Sequence, residues 1–173
     1  MRQSLLAPVV VMGVSGAGKT TVGTMIAEAL GAPFVDADDL HSEDAREKMA
    51  KGEPLTDTDR WPWLARVAER LADQDYPPTV VACSALKRAY RDALRARRPD
   101  VAFIHLDGAP DRVAERLRAR TDHFMPPTLL ASQLQTLEPL EPDETGVTIS
   151  VEGSAAQVTR GALVALVRRG LTR

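Results

Sequence analysis

The chain has a single cysteine, Cys83, in 173 residues. That excludes an intrachain disulfide and a cysteine-rich zinc site, and a reducing cytoplasm is the expected home. Asparagine is missing altogether, so the guanine-reading N-K-x-D motif of GTPase switches cannot be present. No apolar run approaches the roughly 20 residues that span a bilayer. The N-terminal stretch "MRQSLLAPVVVMG" reads as a first strand, not a signal peptide, and no membrane partner is expected. A basic excess is also lacking: 22 Lys and Arg face 24 Asp and Glu, for a net charge of -2. A nucleic-acid partner is therefore not expected. The one dense basic stretch, "KRAYRDALRARR" from Lys87 to Arg98, reads for most of its residues as a solvated helix face.

What is present alternates short apolar runs with amphipathic stretches. "APVVVMGV", "APFVDAD", "PTVVACSA", "VAFIHLDG" and "GVTISVEG" read as five strands, the first β-branched and continuous as in a buried parallel sheet. Helices are expected over 18–30, "SEDAREKMAKG" (Ser42 as N-cap, Gly52 as stop), 59–74, "LKRAYRDALRAR", "APDRVAERLRART", "TLLASQLQTL" and a terminal "SAAQVTRGALVALVRRG". The 59–74 helix opens at a capping Asp or at Pro62, with Leu64, Val67, Ala68 and Leu71 on one face. The expected fold is α/β: a five-stranded parallel sheet flanked by helices, in one domain over 1–173. "EPLEPDET" (Glu138 to Thr145) reads as a surface loop, Trp61 and Trp63 as packing residues, His105 as a satisfied core histidine, and Cys83 as buried and inert.

"GVSGAGKT" matches G-x-x-x-x-G-K-[ST] in full, with a strand before it and a helix after it. Its glycines, Gly13, Gly16 and Gly18, let successive N–H groups of Ser15, Ala17, Lys19, Thr20 and Thr21 turn into one concavity at a helix N-terminus. Lys19 is placed to reach the β- and γ-phosphates, and the Thr20 hydroxyl to ligate Mg²⁺. No Asp ends the third strand, which runs into Cys83 and Ser84. The acids lie instead at the end of the second strand, in "DADD". Asp36 and Asp38 would share a direction if the strand persisted. One can then serve the metal and the other accept a proton from an attacking hydroxyl. Asp39 reads as a helix cap.

The blocks "MGVSGAGKTTVG", "DADDLH", "KMAKGEPLTDTDRWPWL", "ACSALKRAYRDALR", "FIHLDG" and "RTDHFMPPTLLASQLQTLE" resemble the short gluconokinases, P-loop kinases related to shikimate kinase. They occur in the family's order from Val9 to Glu138. The resemblance implies transfer of the γ-phosphoryl group of ATP to the 6-hydroxyl of D-gluconate, with Mg²⁺, by a homodimer. It implies Thr20 and Asp36 at the metal, Asp38 as base, and Lys19 and Arg120 as stabilisers of transferring charge. Arg60 would clamp the substrate carboxylate, since a guanidinium binds one bidentately, or else pair with Asp57 or Asp59. His41 would touch the sugar acid, or cap or pack. Ser84, Lys87 and Arg91 follow the third strand, the last two on one helix face, and would reach substrate. Residues 121–137 would form a lid over ATP, with Arg116 and Arg120 on the nucleotide and His123 toward substrate, unless "HFM" is structural. Ser42, Ala45 and the "SQL" triplet depart from the family pattern. A kinase of another hydroxy acid such as shikimate, or a non-catalytic nucleotide sensor, are the competing readings.

Overall fold

A computed structural model describes residues 3–120 and 127–173. Five parallel strands are ordered β2-β3-β1-β4-β5. They are β1 (Val9–Met12), β2 (Phe34–Asp36), β3 (Val80–Ala82), β4 (Ala102–Asp107) and β5 (Gly146–Ser150). The first strand is central, and the chain winds out from it in both directions. The crevice at its C-terminal end is therefore the switch point where open α/β sheets hold ligands.

The continuous apolar character of β1 follows from cover on both faces. Val9 and Val11 pack with Val22, Ile26, Ile104 and Val113 on one side; Val10 and Met12 pack with Leu64, Val67, Tyr90 and Phe103 on the other. Helices α1 (Lys19–Leu30), α5 (Pro110–Ala119), α6 (Pro127–Thr136) and α7 (Ala155–Arg168) contribute to the first face. Helices α3 (Asp57–Ala72) and α4 (Arg88–Arg95) contribute to the second, and α2 (Glu43–Ala50) precedes α3. The stripe expected on α3 is buried: Leu64, Val67, Ala68 and Leu71 are at most 3% exposed. Each of its larger side chains contributes about 1.5–3 kcal/mol of hydrophobic stabilisation. No described helix is long and apolar enough to cross a membrane.

Several boundaries differ from expectation. Helix α3 begins at Asp57, with Thr56 as N-cap in a capping box with Asp59. Pro62 therefore sits inside the helix, where its missing N–H leaves the Thr58 carbonyl without the usual partner. Helix α4 begins at Arg88, and Lys87 is its N-cap. Strand β2 stops at Asp36, because the Asp36 carboxylate accepts the Asp38 amide at 3.0 Å and turns the chain into a 3-10 helix over Ala37–Leu40. Asp39 lies within that turn and caps no helix; Ser42 caps α2 as expected. Trp63 is buried, but Trp61 is 42% exposed, edge-on against Tyr90. His105 is buried, yet neither ring nitrogen has a hydrogen-bond partner among the described residues. The acidic connector is no free surface loop, since Glu144 within it is buried.

Candidate active site

The phosphate loop joins β1 to α1 at the C-terminal edge of the sheet. Gly18 has φ +98°, a left-handed conformation that a side chain would strain. A Cβ at Gly13 would lie 2.8 Å from the Leu106 carbonyl oxygen, so only glycine lets the loop pass so close to β4. Val14 and Ala17 turn their side chains into the core and anchor the loop. Lys19 Nζ donates to the Val14 carbonyl at 3.0 Å, across the loop. Burial lowers the Lys19 pKa, opposed by the negative charges of Asp38 and Asp36. The Thr20 hydroxyl donates to Asp36 Oδ2 at 2.8 Å, so the two residues expected at a metal are already side by side.

The acids reach this edge by a different route from the one expected. The 3-10 turn, not a continued strand, carries Asp38 beyond Asp36. The Asp38 side chain is 82% exposed, and its Oδ1 lies 3.8 Å from Nε2 of His41. His41 is buried and stacked on the Trp63 indole, with ring centroids 4.2 Å apart. The indole N–H holds the turn by donating to the Ala37 carbonyl at 2.7 Å. Burial, then the cations Arg66, Arg46 and Arg60, push the His41 pKa down from 6.5 to about 4. Cys83, at the neighbouring strand end, is pushed up to about 12 by burial and stays a thiol.

The His41 environment has a measurable consequence. Between pH 6.5 and about 4 the unfolded chain holds a proton on this residue that the native state does not. Stability therefore rises with pH across that window and is lost as pH falls through it. Thermal midpoints by calorimetry at pH 7, 5.5 and 4.5 are expected to fall less steeply in His41→Gln than in the wild type. An identical slope would remove His41 as the source.

On the β2–β3 side, α3 and α4 bring a second cluster to the edge. Arg60 Nη1 donates to the Tyr90 hydroxyl at 2.8 Å, and its guanidinium lies 5.4 Å from the Tyr90 ring centroid. Tyr90 in turn donates a short hydrogen bond to Asp57. Lys87 Nζ donates to both Asp57 oxygens, at 3.2 and 3.3 Å. Asp59 is taken by Lys48 and by the capping box. Neither acid beside Arg60 forms an ion pair with it, and its Nε and Nη2 donate to nothing among the described residues. Ser84 enters through its main chain, its carbonyl accepting the Gly13 amide at 3.2 Å.

Arg91 does not belong to this cluster. Lys87 lies outside α4, so the two residues do not share a helix face. Arg91 is fully buried and pairs with Glu144 through Nε at 2.8 Å and Nη2 at 2.9 Å. Its remaining N–H groups go to the carbonyls of Ala85, Leu86, Glu138 and Pro139. No donor is left for a substrate, and its role is to fasten the 138–144 connector to the turn after β3. That turn contains Ala85 at φ +46°, a conformation that costs a non-glycine residue about 1 kcal/mol.

On the α5–α7 side, a cleft of about 240 Å³ is lined by Gly16, Gly18, Thr21, Arg116, Arg120 and Val158, among others. Arg120 is exposed, and its charge reaches Lys19. Arg116 also lines the cleft but commits one N–H to the Val151 carbonyl at 2.9 Å. His123 and the first part of the expected lid lie outside the described residues. The remainder of that segment is largely α6, and from it comes a residue that sequence reasoning missed. Gln133 accepts the Ser15 amide N–H on Oε1 at 2.7 Å and donates from Nε2 to the Ser15 hydroxyl at 3.2 Å, so the Ser15 N–H expected among the phosphate-facing amides is instead taken by a side chain. Tyr90 was missed as well, although it lies in the same "KRAYRD" stretch as Lys87.

Known proteins share this chain's sequence and fold over most of their length. Residues 15–142 match the family model "SKI: Shikimate kinase". A mouse probable gluconokinase is 44% identical over 176 residues, covering 90% of this chain and 95% of the relative. A gluconokinase of Gluconobacter oxydans is 48% identical, covering 83% and 82%. A solved gluconokinase from Sinorhizobium meliloti superposes with a TM-score of 0.89 at 49% identity, covering 95% of this chain and 94% of that one. Identity at this level over most of both chains, on the same parallel sheet and phosphate loop, places the chain in the gluconokinase family, within the wider group that the shikimate kinase model describes.

Proposed function

We propose that this protein, working as a single kinase domain, transfers the γ-phosphoryl group of ATP to the 6-hydroxyl of D-gluconate. The observation that carries the reading is Arg60, a half-buried guanidinium that forms no ion pair with a carboxylate among the described residues, on the same sheet edge as the phosphate loop and its acids. Its Nε–Nη2 side remains for a substrate carboxylate, while Tyr90 fixes the opposite side. Such an anchor suits a sugar acid and would serve no purpose in a pure nucleotide switch. Relatives named gluconokinases support the choice of acid.

In the reaction, the 6-hydroxyl oxygen bonds to the γ-phosphorus as the bond to the β–γ bridging oxygen breaks. ADP leaves, and the hydroxyl proton passes to the Asp38 carboxylate. Lys19 and the loop amides stabilise charge on the transferring group, and Arg120 adds a second cation at the nucleotide cleft. Thr20 Oγ1 and Asp36 Oδ2, 2.8 Å apart, are hard oxygen donors that fit Mg²⁺ held by few protein ligands alongside phosphates. Bound there, the ion supplies charge neutralisation of the phosphates. His41, behind Asp38, shapes the acceptor side, and Lys87 reaches it through Asp57.

An ADP-release assay over a panel of sugar acids, shikimate and nucleosides tests the assignment. D-Gluconate is expected to give the highest kcat/KM, with only slow hydrolysis when no acceptor is present. Turnover on shikimate without turnover on gluconate would overturn the substrate. Acceptor-independent hydrolysis at the same rate would overturn the kinase.

A further inference from the structure

The phosphate loop is not held by its own turn alone. Its third residue, Ser15, is gripped at both amide and hydroxyl by Gln133, 118 residues away. The acceptor end of that grip is short, at 2.7 Å. Gln133 is itself well fixed. Leu130 of the same helix is buried against the α5 side of the core, and Leu134 packs on the same cluster. The Leu137 amide donates to the Gln133 carbonyl. One residue further on, Glu138 ties the segment to α4, its amide donating to Leu86 O at 2.8 Å and its carboxylate accepting the Arg88 amide at 2.6 Å. A residue with both side-chain amide groups on one loop residue, rigidly backed, sets that residue's peptide plane. The amides that follow, toward Lys19, take their direction from it.

We propose that Gln133 is the positioning residue of the phosphate loop: it holds Ser15 so that the following amides are aligned for phosphate before nucleotide arrives. Preorganisation of this kind appears as affinity, because the ordering cost is met in the free protein. The proposal rests on the loop being the donor-phosphate site, as set out above. Gln133→Met keeps the length and apolar packing of the side chain and removes both hydrogen bonds.

The test is calorimetric titration of the wild type and of Gln133→Met with ADP, without acceptor, alongside thermal unfolding of the unliganded proteins. ADP binding is expected to weaken about 3- to 10-fold, the size of one or two neutral hydrogen bonds, with the thermal midpoint nearly unchanged. In kinetics, KM for ATP rises by a similar factor while kcat changes less. Because Gln133 acts through Ser15, Ser15→Ala added to Gln133→Met is expected to cost less than the two changes taken separately. Equal or tighter ADP binding in Gln133→Met overturns the proposal; tighter binding would make Gln133 a competitor of phosphate. If stability and affinity fall together, Leu130→Ala decides, since it loosens α6 without touching Ser15. An equal affinity loss there assigns the effect to helix packing and overturns the proposal, whereas retained affinity supports it. A wild-type protein that binds no ADP would instead overturn the kinase reading itself.

Discussion

Asp38→Asn is expected to bind ADP about as well as the wild type and to lower kcat by about 10²- to 10⁴-fold, the usual contribution of one general base. The substitution preserves shape. The Asp38 backbone amide still donates to Asp36, so the Asp36–Thr20 pair stays in place. What changes is the ability to accept a proton, in a group whose charge reaches Lys19. Single-turnover rates with D-gluconate, beside calorimetry with ADP, separate the two effects. A kcat within about threefold of wild type would take the base role from Asp38. A parallel loss of ADP affinity would place it with the nucleotide instead.

The second large effect concerns stability. Glu144→Leu leaves the Arg91 guanidinium buried without its anion, and breaking a buried pair this way costs about 3–5 kcal/mol. For a chain of this size that lowers Tm by roughly 10 °C. The pair is tight: both side chains are fully buried. Burial works to raise the Glu144 pKa, yet the hydrogen bonds from Arg91 and from the Glu141 amide more than offset it, and the carboxyl sits below the ordinary glutamate range. Adding Arg91→Met to Glu144→Leu is expected to restore part of the loss, because it removes the unpaired buried cation while leaving the carbonyls of Ala85, Leu86, Glu138 and Pro139 without that donor. Scanning calorimetry of the three proteins checks this. KM for gluconate in the double variant separates a structural Arg91 from a substrate ligand. A large rise in a stably folded double variant would return Arg91 to the acceptor site.

Much of the donor side was legible because its chemistry is local. The loop, its lysine and its threonine fall within eight consecutive residues, and strand and helix flank them as the pattern requires. The acids were legible by type and position, though the route to Asp38 was not: a carboxylate that bonds the amide two residues on ends a strand, and alternation along β2 gave no warning of it. Arg91 was misread for two reasons. Its helix starts one residue too late to include Lys87, and its partner lies 53 residues away in a connector that looked solvated. The start of α3 was a different failure. Thr56 and Asp59 have capping-box spacing, a readable signal that the proline inside the helix outweighed. Gln133 was beyond reach, since a glutamine on an amphipathic helix carries no mark of a partner 118 residues away.

The strand order has a consequence for redesign. Because β1 is central, the groups proposed to meet the acceptor come from one contiguous stretch, 36–90, on the β2–β3 half, while the nucleotide cleft draws on α1, α5 and α7 across the sheet. Exchanging the stretch from the 3-10 turn through the start of α4 is expected to change which alcohol is offered for phosphorylation, and to keep the nucleotide cleft provided the Ser84 carbonyl that accepts the Gly13 amide and the Leu86 carbonyl that accepts the Glu138 amide are retained.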